Sequence, residues 1–167
     1  IQKLWSALPQ QIQTMLFSAT MPAPILTLAR SMMRTPVHIR AEAPNASATY
    51  TSTKQVVFRS HRMDKPEVLA RLLQAPHRGR TIIFARTKRT AAEVAEDLAQ
   101  RGFPVGTVHG DLRQEARQKS LDAFRTGEVE ILVATDVAAR GIDVDDVTHV
   151  VNYQTPDDPM TYVHRIG

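Results

Sequence analysis

From residue 55 onward the apolar positions of this chain follow a repeating order. Short continuous apolar runs alternate with longer stretches in which apolar residues recur every three to four positions. The first kind predicts strands and the second amphipathic helices. Val56-Val-Phe58, Thr81-Ile-Ile-Phe-Ala85, Val105 to Val108, Ile131-Leu-Val133 and Val147 to Val151 are the predicted strands. The helix after Asp64-Lys-Pro-Glu67 places Val68, Leu69, Leu72 and Leu73 inward. Its start reads as a capping box with Pro66 in the first turn. The next runs from Thr87 to Arg101 with Ala91, Val94, Ala95 and Leu98 inward, and Gly102 closes it. A third spans Arg113 to Arg125 with Ala116, Leu121 and Phe124 inward. A short terminal helix after Pro159 holds Tyr162 and Val163.

The first 54 residues have a different texture. Gln13-Thr-Met-Leu-Phe17 reads as a short strand, and Pro24 to Met33 as a helix with Ile25, Leu28, Ala29 and Met32 on one face. Thr35-Pro36 stops that helix, because a residue before proline avoids the α region. Val37-His-Ile-Arg40 is extended. Residues 41–54 are Ala, Ser, Thr, Pro and Asn without periodicity, the composition of a linker.

Strands apolar on both faces, alternating with helices, predict an α/β fold in three αβα layers around a mostly parallel central sheet. Such sheets bind ligands at the carboxyl ends of their strands. The polar runs Arg86-Thr-Lys88, His109-Gly-Asp111 and Thr135-Asp136 fall there. No internal repeat is present.

Composition narrows the chemistry. The 167 residues hold no cysteine, which excludes disulfides, thiolate metal sites and a cysteine nucleophile. The formal net charge of +4 suits an anionic partner. No apolar run approaches the roughly 20 residues of a membrane helix, and no signal peptide is visible, so a cytoplasmic location is expected.

The polar loops define the candidate chemistry. Gly110 leaves the backbone open to close approach at a strand end. Asp111 is placed equally well as a helix cap or a ligand. Gln114 and Arg117 lie three apart, and Arg113 and Arg117 four apart, so they share a helix face. That face reads either as solvated or, beside two loops at one sheet edge, as a phosphate track that ignores base identity. Ala134-Thr-Asp-Val-Ala-Ala-Arg-Gly-Ile-Asp-Val144 packs a hydroxyl, carboxylates, a cation and a glycine directly after a strand. A site for a phosphodiester and a nucleotide ribose uses that density of polar groups. Asp143 reads either as a turn cap or as an acceptor for ribose hydroxyls.

Three runs in order, Ser18-Ala-Thr20, Ala134 to Val144 and His164-Arg-Ile-Gly167, resemble the motifs of the DEAD-box RNA helicases of superfamily 2. Ile82-Ile-Phe84 with Arg86-Thr-Lys88, and His109-Gly-Asp111 with Gln114 and Arg117, extend the resemblance over nearly the whole chain. It implies a RecA-like fold. It implies that Arg86, Thr87, Gly110, Gln114, Arg117 and Thr135 grip the RNA sugar-phosphate strand, and that Gly141 and Asp143 serve the ATP ribose. Ser18, Thr20, His164 and Arg140 would couple nucleotide state to RNA binding. It further implies that residues 1–40 end an N-terminal RecA-like domain, that 41–54 link it onward, and that 55–167 form the C-terminal RecA-like domain.

The 167 residues contain neither a G-x-x-x-x-G-K-S/T phosphate loop nor an Asp-Glu-Ala-Asp run. Mg²⁺ ligands for ATP would therefore lie outside the chain, and no metal site is assigned within it. The resembled family continues after His-Arg-Ile-Gly with two arginines that act on the γ-phosphate. Arg165 is not one of them. Arginines of that kind are worth about 10³–10⁵ in rate in related NTPases, so the polypeptide alone is expected to be ATPase-inactive. Its partners are expected to be the RNA backbone and the other RecA-like domain, with non-physiological association through the apolar face of residues 24–33. Two other readings stay open at this point: a superfamily 2 motor acting on DNA, and a stand-alone, non-catalytic RNA-binding module.

Overall fold

In the computed structural model the described residues are 9, 11–18, 21, 23–39, 53–139, 142, 144 and 146–166. The chain divides into two compact units, Ile1–Ala46 and Ser47–Gly167. In the first, helix α1 spans Ala23–Met32. Its half-buried residues, Ile25, Leu26, Leu28, Ala29 and Met32, include the predicted face, but none is fully buried. Leu26, Ala29 and Met32 line a pocket with Ile12, Met15, Leu16 and Phe17 of the same unit. The strand expected over residues 13–17 is absent. That segment has no regular secondary structure, and no described strand pairs with it; Phe17 is 86% exposed. A lone extended segment without a ladder partner does not hold as a strand.

The second unit contains α2 (Lys65–Leu73), β1 (Arg80–Ala85), α3 (Lys88–Gln100), β2 (Val105–Val108), α4 (Gln114–Thr126), β3 (Ile131–Thr135), the single turn α5 (Asp136–Ala139), β4 (Val147–Asn152) and α6 (Pro159–Ile166). The four strands form one parallel sheet in the order β2-β3-β1-β4. Its register pairs Ile83 with Val133 and Ala85 with Thr135.

Because side chains alternate along a strand, the two central strands feed two cores. Ile83, Ala85, Ile131 and Val133 pack with Leu69 and Leu73 of α2 and Ala91, Val94, Ala95 and Leu98 of α3. Ile82, Phe84, Leu132 and Ala134 pack on the other face with Leu121 and Phe124 of α4 and Ala138 of α5. This is the three-layer αβα arrangement expected from the sequence.

Turn chemistry holds the layers in place. Thr87 caps α3, its Oγ1 accepting from the Thr90 amide at 3.1 Å. Gly102 (φ +86°) ends α3: its amide donates to the Ala99 carbonyl and the Phe103 amide to that of Leu98. These bonds satisfy the last carbonyls of the helix.

Four local expectations are corrected. Val56, Val57 and Phe58 form no strand; Val57 is 95% exposed and no neighbouring strand pairs with it. The capping box at 64–67 is not made. Asp64 gives no side-chain cap, a 3-10 turn over Arg62–Asp64 precedes α2, and His61 Nδ1 accepts from the Met63 amide instead. Glu67, free of that duty, pairs with Arg71 and Arg101, which hold its carboxyl below the ordinary value, Arg71 first. Asp111 does not cap α4, whose N-cap is Arg113 without a side-chain bond. Ala116 is exposed, and Arg117 is half-buried one position along the helix.

Candidate nucleic-acid interface

The carboxyl ends of β2, β3 and β1 are neighbours along the sheet; β2 and β1 open into polar turns, and β3 runs directly into α5 at Asp136. Arg86 leaves β1. Its backbone amide donates to Gln154 Oε1 at 2.9 Å and its guanidinium sits 2.7 Å from Asp157 Oδ1. Thr87 follows as the α3 cap, an exposed residue whose hydroxyl bonds to the Thr90 amide and hydroxyl. Lys88 Nζ lies 2.7 Å from Asp111 Oδ2, tying the β1 loop to the β2 loop. The four side chains of these pairs are 48–78% exposed, so each pair is worth about 0–1 kcal/mol. A phosphate can displace either carboxylate at little cost.

Gly110 stands in the β2 loop with open space around it; an added Cβ would meet nothing within 4 Å. The space beside the backbone is open there. Thr135 closes β3 and is 8% exposed, so only the tip of its side chain reaches the edge. Gln114, the first residue of α4, is exposed. Arg117 turns inward, and its Nη2 donates to the Ala138 carbonyl at 3.2 Å. Arg117 Nε is buried without a partner. The shared face expected for Gln114 and Arg117 is thus divided: one side chain is solvated, the other braces α4 against α5.

The structure brings Arg86, Thr87, Gly110 and Thr135 to one edge. Ser18 is exposed in the first unit, and His164 is exposed on α6. Thr20, Arg140, Gly141 and Asp143 lie outside the described residues. Among the described residues no group of three or more His, Asp or Glu could hold a metal ion. None of their helices is long and apolar enough to cross a membrane.

Sequence reasoning missed the role of Arg165. Of the described residues that are buried, Arg165 alone carries a charge. Its Nε and Nη2 donate to the two carboxylate oxygens of Asp136 at 2.6 and 2.8 Å. Nη1 donates to Asn152 Oδ1 at 2.7 Å and to the Gln154 carbonyl at 2.8 Å. The guanidinium lies 5.0 Å from the Phe84 ring centroid. One signal was available: Tyr162, Arg165 and Ile166 have helical i, i+3, i+4 spacing, which puts a cation in an apolar stripe. At the start of α6, Asp158 accepts from the Thr161 amide and hydroxyl. Those bonds hold its carboxyl below the ordinary value.

A parallel sheet covered by helices, with polar residues across adjacent carboxyl ends, is an α/β domain that matches the RecA-like domains of DEAD-box proteins. Two solved structures share it. A DEAD box protein from Methanococcus jannaschii aligns over 99% of this chain and 44% of its own, with TM-score 0.65 and 37% identity. A Saccharomyces cerevisiae Dbp5 variant bound to RNA and ADP BeF3 aligns over 98% of this chain and 43% of its own, with TM-score 0.77 and 32% identity. The chain belongs to the helicase conserved C-terminal domain family, whose model matches residues 64–167. Within it the similarity is to DEAD-box helicases. The DEAD-box ATP-dependent RNA helicase CshA of Bacillus licheniformis is 44% identical over the whole chain, and the ATP-dependent RNA helicase CshA of Listeria monocytogenes 43%. The chain spans 34% and 32% of those proteins, about a third of their length.

Proposed function

We propose that this chain is part of an ATP-dependent RNA helicase that locally unwinds RNA duplexes. Residues 55–167 would be its C-terminal RecA-like domain, 1–40 the end of the N-terminal one, and 41–54 the link between them. The observation that supports this best is the clustering of Arg86, Thr87, Gly110 and Thr135 at the carboxyl ends of three adjacent parallel strands.

That edge offers one exposed guanidinium, one hydroxyl, an open stretch of backbone and a second hydroxyl tip. Cations neutralise phosphate charge, while hydroxyls and backbone amides set register without reading bases. Arg86 and Lys88 begin paired to Asp157 and Asp111, and both pairs are weak enough to yield to phosphodiester oxygens. Arg117, half-buried between α4 and α5, serves the track by fixing the α5 turn beside Thr135. RNA is the preferred polymer because the named relatives are RNA helicases and one structural neighbour holds RNA.

ATP with Mg²⁺ would supply the driving hydrolysis. Gly141 and Asp143 would meet the ribose, Mg²⁺ would be held outside these residues, and Ser18, Thr20, Arg140 and His164 would relay nucleotide state. Since the 167 residues hold no phosphate loop, hydrolysis by this polypeptide alone should be at background.

The test is ATP turnover by the full-length gene product with single-stranded RNA or DNA, beside the purified 167-residue polypeptide. Stimulation by RNA at least tenfold above DNA, with no turnover by the polypeptide alone, is the expected result. Equal stimulation by DNA would favour a DNA motor. Turnover by the polypeptide alone would overturn the division of the site.

A further inference from the structure

The Asp136–Arg165 pair joins elements whose separate roles the proposed function needs to act together. Asp136 directly follows Thr135 and opens α5, so its bonds fix the start of that turn at the carboxyl end of β3. Gln154 accepts from Arg165 through its backbone carbonyl and from the Arg86 amide through its side chain. Asn152 ends β4. Arg165 itself lies on α6, one residue after His164. A single guanidinium therefore bonds to the start of α5 behind Thr135, reaches Arg86 through Gln154, and carries α6.

We propose that Arg165 is a positioning residue that makes α6 and the RNA-facing edge one rigid body, so that RNA engagement is transmitted to the nucleotide side. This rests on the helicase reading above. The chemistry suits arginine in particular. Two parallel N–H bonds to one carboxylate fix the angle as well as the distance, and a planar guanidinium can lie on the Phe84 ring at the same time. A lysine in the same place supplies the charge without the fork. The side chain is 1% exposed while that of Asp136 is 31% exposed. The anchor is therefore dry on the α6 side and reachable by solvent only at the loop.

A purely structural ion pair and a positioning one make different demands. An apolar pair of similar volume can replace a buried ion pair with little loss of stability. It cannot reproduce four directed bonds to Asp136, Asn152 and Gln154. The experiment therefore uses full-length protein with Arg165→Lys and with the double change Asp136→Leu and Arg165→Met. Three quantities are read: thermal midpoint, RNA affinity by fluorescence anisotropy, and the RNA-stimulated increase in ATP turnover. Amide exchange over residues 159–166 is followed in parallel.

The double variant should melt within a few degrees of wild type and bind RNA within threefold. Its RNA stimulation should fall at least tenfold, and exchange in α6 should quicken. Arg165→Lys should fold and lie between the two. Stimulation within threefold of wild type in both variants would overturn the proposal, leaving the pair a structural element. RNA affinity that falls in step with stimulation would also overturn it, since the pair would then belong to the grip on RNA alone. Wild-type protein without RNA-stimulated turnover would instead sink the helicase reading, and the exchange data would still report whether Arg165 fixes α6.

Discussion

Replacing Phe124 with alanine should lower the stability of the 47–167 unit by about 3–5 kcal/mol. Phe124 is fully buried and packs in one core with Val108, Leu121, Leu132 and Ala134, so its ring joins α4 to β2 and β3. The loss combines the transfer of the ring with the cavity it leaves. Neighbours cannot collapse into that space, because Leu132 and Ala134 are fixed by ladder pairing on both sides. Domains of this size are stable by only about 5–15 kcal/mol, so the change takes a large share. Urea unfolding followed by circular dichroism checks it. Phe124→Leu should recover more than half of the loss, because most of the volume stays.

The second large effect is expected at Asp136→Ala, near 3 kcal/mol. Removing one partner of a buried pair leaves an uncompensated charge, which costs about 3–5 kcal/mol. The lower end applies because the Asp136 side chain is 31% exposed, so water can enter where the carboxylate stood. Arg165 also keeps its bonds to Asn152 and Gln154. The same urea transition measures this. A loss below 1 kcal/mol would mean that the pair is screened as a surface pair is.

These two sites also show what the sequence made legible. Phe124 was visible because α4 repeats its apolar residues at helical spacing and the strands beside it are apolar on both faces. The same logic placed Ala91, Val94, Ala95 and Leu98 inward and put the polar loops at one sheet edge. It failed where a pattern needed a partner that no local rule supplies. Residues 13–17 and 56–58 have strand composition but, among the described residues, no strand beside them. Asp64 and Asp111 have the residue type of a cap, yet the carboxylate of Asp111 goes to Lys88 across a loop. Asp136 and Arg165 lie 29 positions apart in sequence and are joined by the tertiary fold. Such pairings are tertiary, and spacing along the chain carries little trace of them. For the grip on RNA, four of the six proposed residues stand at one edge. Arg117 is turned inward, and it stands four residues before Leu121 and seven before Phe124, so the apolar spacing of α4 carried that signal.

The central claim is that this sheet edge holds the RNA backbone. Its most direct test is RNA binding by the full-length protein, wild type and Arg86→Ala, across a series of salt concentrations. Arg86 is exposed and tied only weakly to Asp157, so its removal should leave the fold intact. If it contacts one phosphate, Arg86→Ala weakens binding alike for unrelated RNA sequences and reduces the slope of log affinity against log salt by about 0.7. Unchanged affinity and slope, or a loss confined to particular sequences, would contradict the account.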